Sequence, residues 1–222
     1  MTRLYLNQTL EAGQLVDLSK EQRHYLEKVL RFQVGQSFLG FNQICGEWEI
    51  VYEKSCYRCV AQTRTPCFIE PSWLAFAPLK HDPMTFLIEK ATELGVTNLQ
   101  PILTERTNTQ RVNLERLQKN AIEGAQQCER LDIPAVHEPM GLSVFLQNLP
   151  QGVHWYSAIE RSAESCRLEY PAGFIIGPEG GWTEKEKELL KRHSTNLSLG
   201  KNILRAETAA VVCLGLKFYK YN

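Results

Sequence analysis

Two glycine-bearing turns, each set beside an apolar run, constrain this chain more than any other feature. Residues 175–182 read IIGPEGGW and residues 199–209 read LGKNILRAETA. Main chain can approach a flat heterocycle closely only where side chains are out of the way, and glycine provides such positions. Neither turn is a dinucleotide fingerprint. Gly177 is followed by Pro178, which has no N–H to offer a pyrophosphate. Neither is a Walker loop, because Asn202 follows Gly200-Lys201 where that motif needs Ser or Thr. Two such turns are either structural or part of a nucleotide-type site built by an unusual route. Glycine turns alone are more often structural; Glu179, Arg205, Glu207 and Thr208, close by in sequence, add weight to the reading as a site.

The rest of the composition narrows the class. A chain of 222 residues with 43% hydrophobic content supports one large domain or two small ones. It contains no apolar run of the length that spans a bilayer. The opening MTRLYLNQTLEAG lacks the apolar stretch of a signal peptide, so the expected compartment is the cytoplasm. Lys plus Arg and Asp plus Glu are both 25, so any nucleic-acid contact has to come from local basic patches. Seven cysteines are expected to be free thiols. Cys45, Cys56, Cys59 and Cys67 could supply four thiolates, but they lack the second tight pair of structural zinc sites, so the sequence predicts no metal.

Two regions differ in pattern. Up to about residue 70, SFLGFNQ (37–43), EWEIVYE (47–53) and CYRCVAQ (56–62) predict strands. A helix is expected over SKEQRHYLEKVLR, with Ser19 as N-cap and Gln22 completing a capping box. This predicts a small barrel-like β domain with one helix over 1–70. From residue 73 the chain alternates. WLAFAPL, NLQPIL, AVHEP, VHWYSAI, GFIIG and TNLSLG read as strands. The helices expected between them are PMTFLIEKATELG (capped by Asp82), VNLERLQKNAIEGAQQCER, SVFLQNL, a helix capped by Thr183 with Glu186 three residues on, and RAETAAVVCLGLKFYK. That alternation predicts an α/β domain with a mostly parallel sheet over 73–222.

Several segments then resemble one family. They are EKATELGV (89–96), Thr104-Glu105-Arg106, Glu123, Gln127, Arg130, Pro134, IGPEGGW and LGKNILRAETA, with HYLEKVLR (24–31) and VGQ (34–36) near the start. Together they are similar to the ribosomal RNA small subunit methyltransferase E family over nearly the whole chain. The departures are modest: Gln126 and Cys128 stand where small residues are common, and Trp182 stands where Phe is commoner. The resemblance implies a C-terminal trefoil-knotted SPOUT methyltransferase domain, against the general rule that chains are unknotted. It implies a PUA-like RNA-binding barrel before it. It also implies S-adenosyl-L-methionine as methyl donor, held bent in the knot, and a homodimer. The implied substrate is N3 of a uridine in 16S rRNA, within an assembled or nearly assembled small ribosomal subunit. No membrane and no metal are implied.

Roles follow from that chemistry. Gly177, Glu179, Gly180, Leu199, Gly200, Ile203, Leu204 and Thr208 are assigned to the donor. Glu179 would accept from a ribose hydroxyl, and the leucines and isoleucine would contact adenine in a largely apolar pocket. Arg205 and Glu207 open an otherwise apolar helix, as a rim salt bridge or as site groups. Guanidinium stays charged, so Arg205 would grip uracil O4 or a phosphate, leaving Glu207 as the base or as the orienter of Arg205. Arg3, His24, Arg31, Arg106, Glu123, Gln127 and Arg130 are assigned to RNA, the spacing of Glu123, Gln127 and Arg130 placing them on one helix face. Two other readings remain open: an inactive RNA-binding factor of the same fold, and a metabolic nucleotide-binding enzyme with an appended β domain.

Overall fold

The computed structural model of the protein describes residues 1–109, 111–159 and 167–221; Cys166 lies outside them. The chain forms two compact units. One comprises Met1–Phe68 and Ala125–Ile133, the other Ile69–Gly124 and Pro134–Asn222.

The first unit is built on strands β1 (Arg3–Tyr5), β2 (Leu15–Val16), β3 (Ser37–Asn42), β4 (Gly46–Glu53) and β5 (Cys56–Arg64). They order β1-β3-β4-β5-β2, with β1 parallel to β3 and the other pairs antiparallel. Helix α1 (Lys20–His24) starts at the Ser19–Gln22 capping box and continues as a π-helical turn over Tyr25–Val29. The two elements cover residues 20–29 of the span read as one helix and end short of Arg31. Of the π turn, only Leu26 is buried. It joins Leu4, Leu6, Phe38, Ile50 and Tyr57 in the core of this unit.

Arg3 explains why residues 125–133 belong to the first unit. Its guanidinium pairs with Glu47 at 2.6 Å, lies over the Phe41 ring, and donates to the carbonyls of Ala125, Gln126 and Arg130. Both partners of the pair have side chains only 5% exposed. Arg64 adds a hydrogen bond to the Glu129 carbonyl, and the Tyr5 N–H donates to Gln126 Oε1. A boundary near residues 71–72 could not have included this segment, because the strap is made by side chains more than a hundred residues away in sequence.

The second unit alternates as its sequence pattern predicts. Its elements are β6 (Trp73–Phe76), α2 (His81–Glu93), β7 (Asn98–Leu103), α3 (Leu114–Gln127), β8 (Ala135–Val136), β9 (Met140–Gly141), α4 (Leu142–Gln147), β10 (His154–Ala158), β11 (Ala172–Ile176), α5 (Glu184–His193), β12 (Thr195–Leu197) and α6 (Ala206–Tyr221). The last residues of α3 fall in the first unit. Among the described residues seven strands form one sheet, ordered β12-β10-β11-β6-β7-β8, with β9 also on β7, and every pairing is parallel. Parallel strands need cover on both faces, and β11 is buried at every position. Helix α6 packs against α2 and β11. Leu142, Phe145, Leu146, Trp155, Ile175, Trp182 and Leu190 form a further apolar cluster. No helix among the described residues is long and apolar enough to cross a membrane.

Two helix readings change. Helix α2 begins at His81 with Lys80 at the N-cap and no side-chain cap, so Asp82 lies in the first turn rather than at the cap. Helix α3 stops at Gln127. Glu129 then takes φ 62°, a left-handed conformation that ends the helical path.

Two outcomes follow. Glu47→Ala leaves the Arg3 guanidinium buried without its partner, and we expect a loss of about 3–5 kcal/mol in denaturant unfolding. His137 stacks on Trp73 at 4.9 Å and faces Asn98 Oδ1 at 2.9 Å, and burial lowers its pKa below the ordinary 6.5. Below that pH the unfolded chain binds the extra proton more readily than the folded one. Stability therefore falls as pH drops from 6.5 toward the depressed folded value, and is unaffected above it. His137→Gln should flatten that part of a stability–pH curve relative to wild type.

Candidate active site

The carboxyl ends of β10, β11 and β12 lead into Ala158-Ile159, the 177–182 turn and the 199–205 segment. These converge on one cleft of about 390 Å³, within the roughly 300–1,000 Å³ of small-molecule sites. Its wall includes Gly177, Glu179, Leu199, Gly200, Ile203, Leu204, Arg205 and Glu207, so both glycine turns line the same space. Gly180 and Thr208 are exposed and are not part of that wall.

Trp182 makes the close approach possible. A Cβ on Gly177 would lie 2.7 Å from the indole ring. The ring is 6% exposed, and its Nε1 donates to the Ala158 carbonyl at 3.2 Å. One side chain thus joins the ends of β10 and β11 across the floor of the site. Gly200 has φ 103°, in the left-handed region where glycine carries no Cβ penalty. Helix α5 begins beside the first turn at the Thr183–Glu186 capping box.

Arg205 sits at the mouth of α6: its carbonyl accepts the first helical bond, from the Ala209 N–H, at 2.8 Å. Its side chain is exposed, and Glu207 follows in the first turn, partly buried. No ion pair involves Arg205, Glu207 or Glu179 among the described residues. Of the two readings of this pair, a rim salt bridge does not form. A guanidinium and a carboxylate stand at the cleft, each available to a ligand.

The residues assigned to RNA divide between the units. His24, the last residue of α1, and Arg31, just after the π turn, are exposed in the first unit, with Arg31 at φ 54°. Arg3 does not reach solvent: it is 8% exposed and engaged as described above. Arg130 does not share a helix face with Glu123 and Gln127, because it follows the left-handed residue after α3. Its guanidinium pairs with Asp132. Glu123 and Gln127 are exposed, Glu123 within 3.9 Å of Lys119. Arg106 is exposed in the second unit and donates to the Gly180 carbonyl at 3.0 Å. Cys45, Cys56, Cys59 and Cys67 are free thiols. No group of three or more metal-type ligands occurs among the described residues.

Sequence reasoning did not select Pro83, Ala158, Ile159 or Trp182, which also line the cleft. The signal for Ala158 and Ile159 was their place at the carboxyl end of an apolar strand, where parallel sheets bind ligands.

An all-parallel sheet with a glycine-walled cleft at its strand carboxyl ends defines an α/β protein built to hold a nucleotide-type ligand. The family model for the RNA methyltransferase domain matches residues 69–217. A ribosomal RNA small subunit methyltransferase E from Rickettsia conorii is 32% identical over 227 residues, covering 96% of this chain and 93% of its own. One from Synechocystis is 33% identical, covering 90% of this chain and 71% of its own. The crystal structure of a ribosomal RNA small subunit methyltransferase E from Neisseria gonorrhoeae bound to S-adenosyl methionine superposes with a TM-score of 0.87 at 27% identity, covering 97% of this chain and 95% of that one. The chain belongs to the ribosomal RNA small subunit methyltransferase E family.

Gly177→Val forces two methyl groups toward a buried indole that cannot withdraw without losing Ala158. We expect a loss of about 1–3 kcal/mol in chemical unfolding, with a shifted tryptophan emission in the folded state.

Proposed function

We propose that this protein transfers a methyl group from S-adenosyl-L-methionine to N3 of a uridine in 16S rRNA, during maturation of the small ribosomal subunit. The observation that carries this is the meeting of both glycine turns in one cleft, with Arg205 and Glu207 unpaired at its edge. The cleft suits the donor. Its volume admits one small molecule, its walls mix leucine, isoleucine and exposed backbone, and a Cβ at Gly177 would displace a wall. Gly177, Glu179, Leu199, Gly200, Ile203 and Leu204 would hold it. Bound there, the donor supplies an electrophilic methyl group on a sulfonium.

The protein's own task is the uracil. N3 carries a proton at neutral pH, which must leave as N3 attacks. Glu207 accepts that proton at its carboxylate, or turns Arg205 toward the base. Arg205, charged at all working pH values, donates to O4 or to an adjacent phosphate and stabilises the negative charge that spreads over the ring. Holding the two reactants in line supplies much of the remaining rate. Gly180 and Thr208 act at one remove from the donor wall.

The return of α6 from the edge strand β12 to pack on α2 and β11 supports a trefoil-knotted path. The five-stranded first unit, with exposed Arg23, His24, Lys28 and Arg31 around its π turn, supports a PUA-like barrel that contacts rRNA. Phe86, Val212 and Leu216 leave apolar side chains exposed on α2 and α6, which supports a homodimer. The cytoplasm, where ribosomes are assembled, is the corresponding compartment.

The test is a reaction with labelled S-adenosyl-L-methionine and small subunits from cells lacking this enzyme, followed by nucleoside mass spectrometry. A single 3-methyluridine is expected. Arg205→Ala and Glu207→Ala should each lower its rate of formation by about a hundredfold or more with unchanged unfolding curves. A variant that keeps the wild-type rate loses its assignment.

A further inference from the structure

We infer that Arg106 is a positioning residue that couples rRNA contact to donor binding through the main chain of Gly180. The inference rests on the methyltransferase reading above and adds a linkage that the reading does not contain.

Two neighbouring residues of the loop after β7 hold it, one to the cleft's first turn and the other to helix α5. Arg106 Nη1 donates to the Gly180 carbonyl at 3.0 Å. The Glu105 N–H donates to Glu186 Oε1 at 2.9 Å. Glu186 is 5% exposed, and its other oxygen accepts from both the N–H and the hydroxyl of Thr183. The same carboxylate therefore caps α5 and anchors the loop. The loop is itself closed by Thr104 and Thr107, whose hydroxyls lie 2.8 Å apart.

Loop and turn are in close contact at residue 180. A Cβ there would lie 3.1 Å from Arg106 Cβ and 3.4 Å from the Arg106 carbonyl. Gly180 is therefore not part of the donor wall; it is the point at which the wall is held from behind. Its neighbours Glu179 and Gly181 both line the cleft.

Arg106 has donors to spare. Guanidinium carries five N–H groups in a planar fork. One edge is used on Gly180, and Arg106 makes no other hydrogen bond or ion pair among the described residues while being exposed. A backbone phosphate on the free edge would hold the planar group in the orientation that also serves the Gly180 carbonyl. Lysine cannot do this, because a point charge on a flexible stem has no second fixed edge. If phosphate contact favours the clamped turn, and the clamped turn favours the donor, each ligand must strengthen the other by the same factor.

The experiment titrates S-adenosylhomocysteine into wild type, Arg106→Lys and Arg106→Ala, each alone and each with saturating unmethylated small subunits. Wild type should bind S-adenosylhomocysteine about fivefold more tightly with subunits present. Arg106→Lys should still bind subunits, retaining its charge, yet show the same S-adenosylhomocysteine affinity with and without them. Arg106→Ala should lose the enhancement and bind subunits more weakly. A merely structural Arg106 would lower affinity in both conditions and leave their ratio at the wild-type value; that result, or a wild-type ratio of one, overturns the inference. A wild type that binds no S-adenosylhomocysteine at all would fail at an earlier point, in the methyltransferase reading itself.

Discussion

The Trp182 indole is the contact on which the site depends. Its face lies against Gly177 and its N–H reaches the Ala158 carbonyl, so two neighbouring parallel strands are joined just past their carboxyl ends. Strand ends in a parallel sheet otherwise diverge into separate connections. Here a buried ring, itself part of an apolar cluster with Trp155, Ile175 and Leu190, keeps the turn after β11 beside the end of β10. The segment after β12 completes the wall because β12 pairs with β10 on its other side. The cleft is thus a consequence of strand order and of one close-packed aromatic ring.

Charge is used in three different ways along the chain. Arg3 and Glu47 are enclosed, and removing Glu47 would leave the buried guanidinium without its counter-charge. Their pairing organises the first unit and holds residues 125–133 to it. Arg205, Glu207 and Glu179 sit at an open cleft and form no ion pair among the described residues. Arg106 lies between these cases, with one edge committed to main chain and the rest facing solvent. A formal net charge of zero is compatible with all three uses, because recognition depends on where cations are left exposed.

Local signals were legible wherever the physics is local. The Ser19–Gln22 and Thr183–Glu186 capping boxes formed as the spacing predicts, since both partners lie within one helical turn. Strands 73–76 and 172–176 were legible because a sheet covered on both faces needs continuous apolar runs. Asp82 misled because a short polar residue before a proline is a common cap, whereas here the helix also takes in His81 and Asp82 and starts after Lys80. Arg130 misled because the spacing rule assumes an unbroken helix, and the left-handed Glu129 interrupts it.

The amino-acid sequence by itself determined the periodicities, the caps, the glycines that permit close approach and the motifs that mark the family. Each of these rests on interactions a few residues long or on composition within a segment. Only the tertiary structure decided that the two turns share a cleft, that Ala158 and Trp182 help to wall it, that Arg3 is enclosed while Arg205 is open, and that Gly180 supports the wall from behind. Those outcomes are set by contacts between residues tens to more than a hundred positions apart, for which strand order and burial, rather than spacing, supply the neighbours.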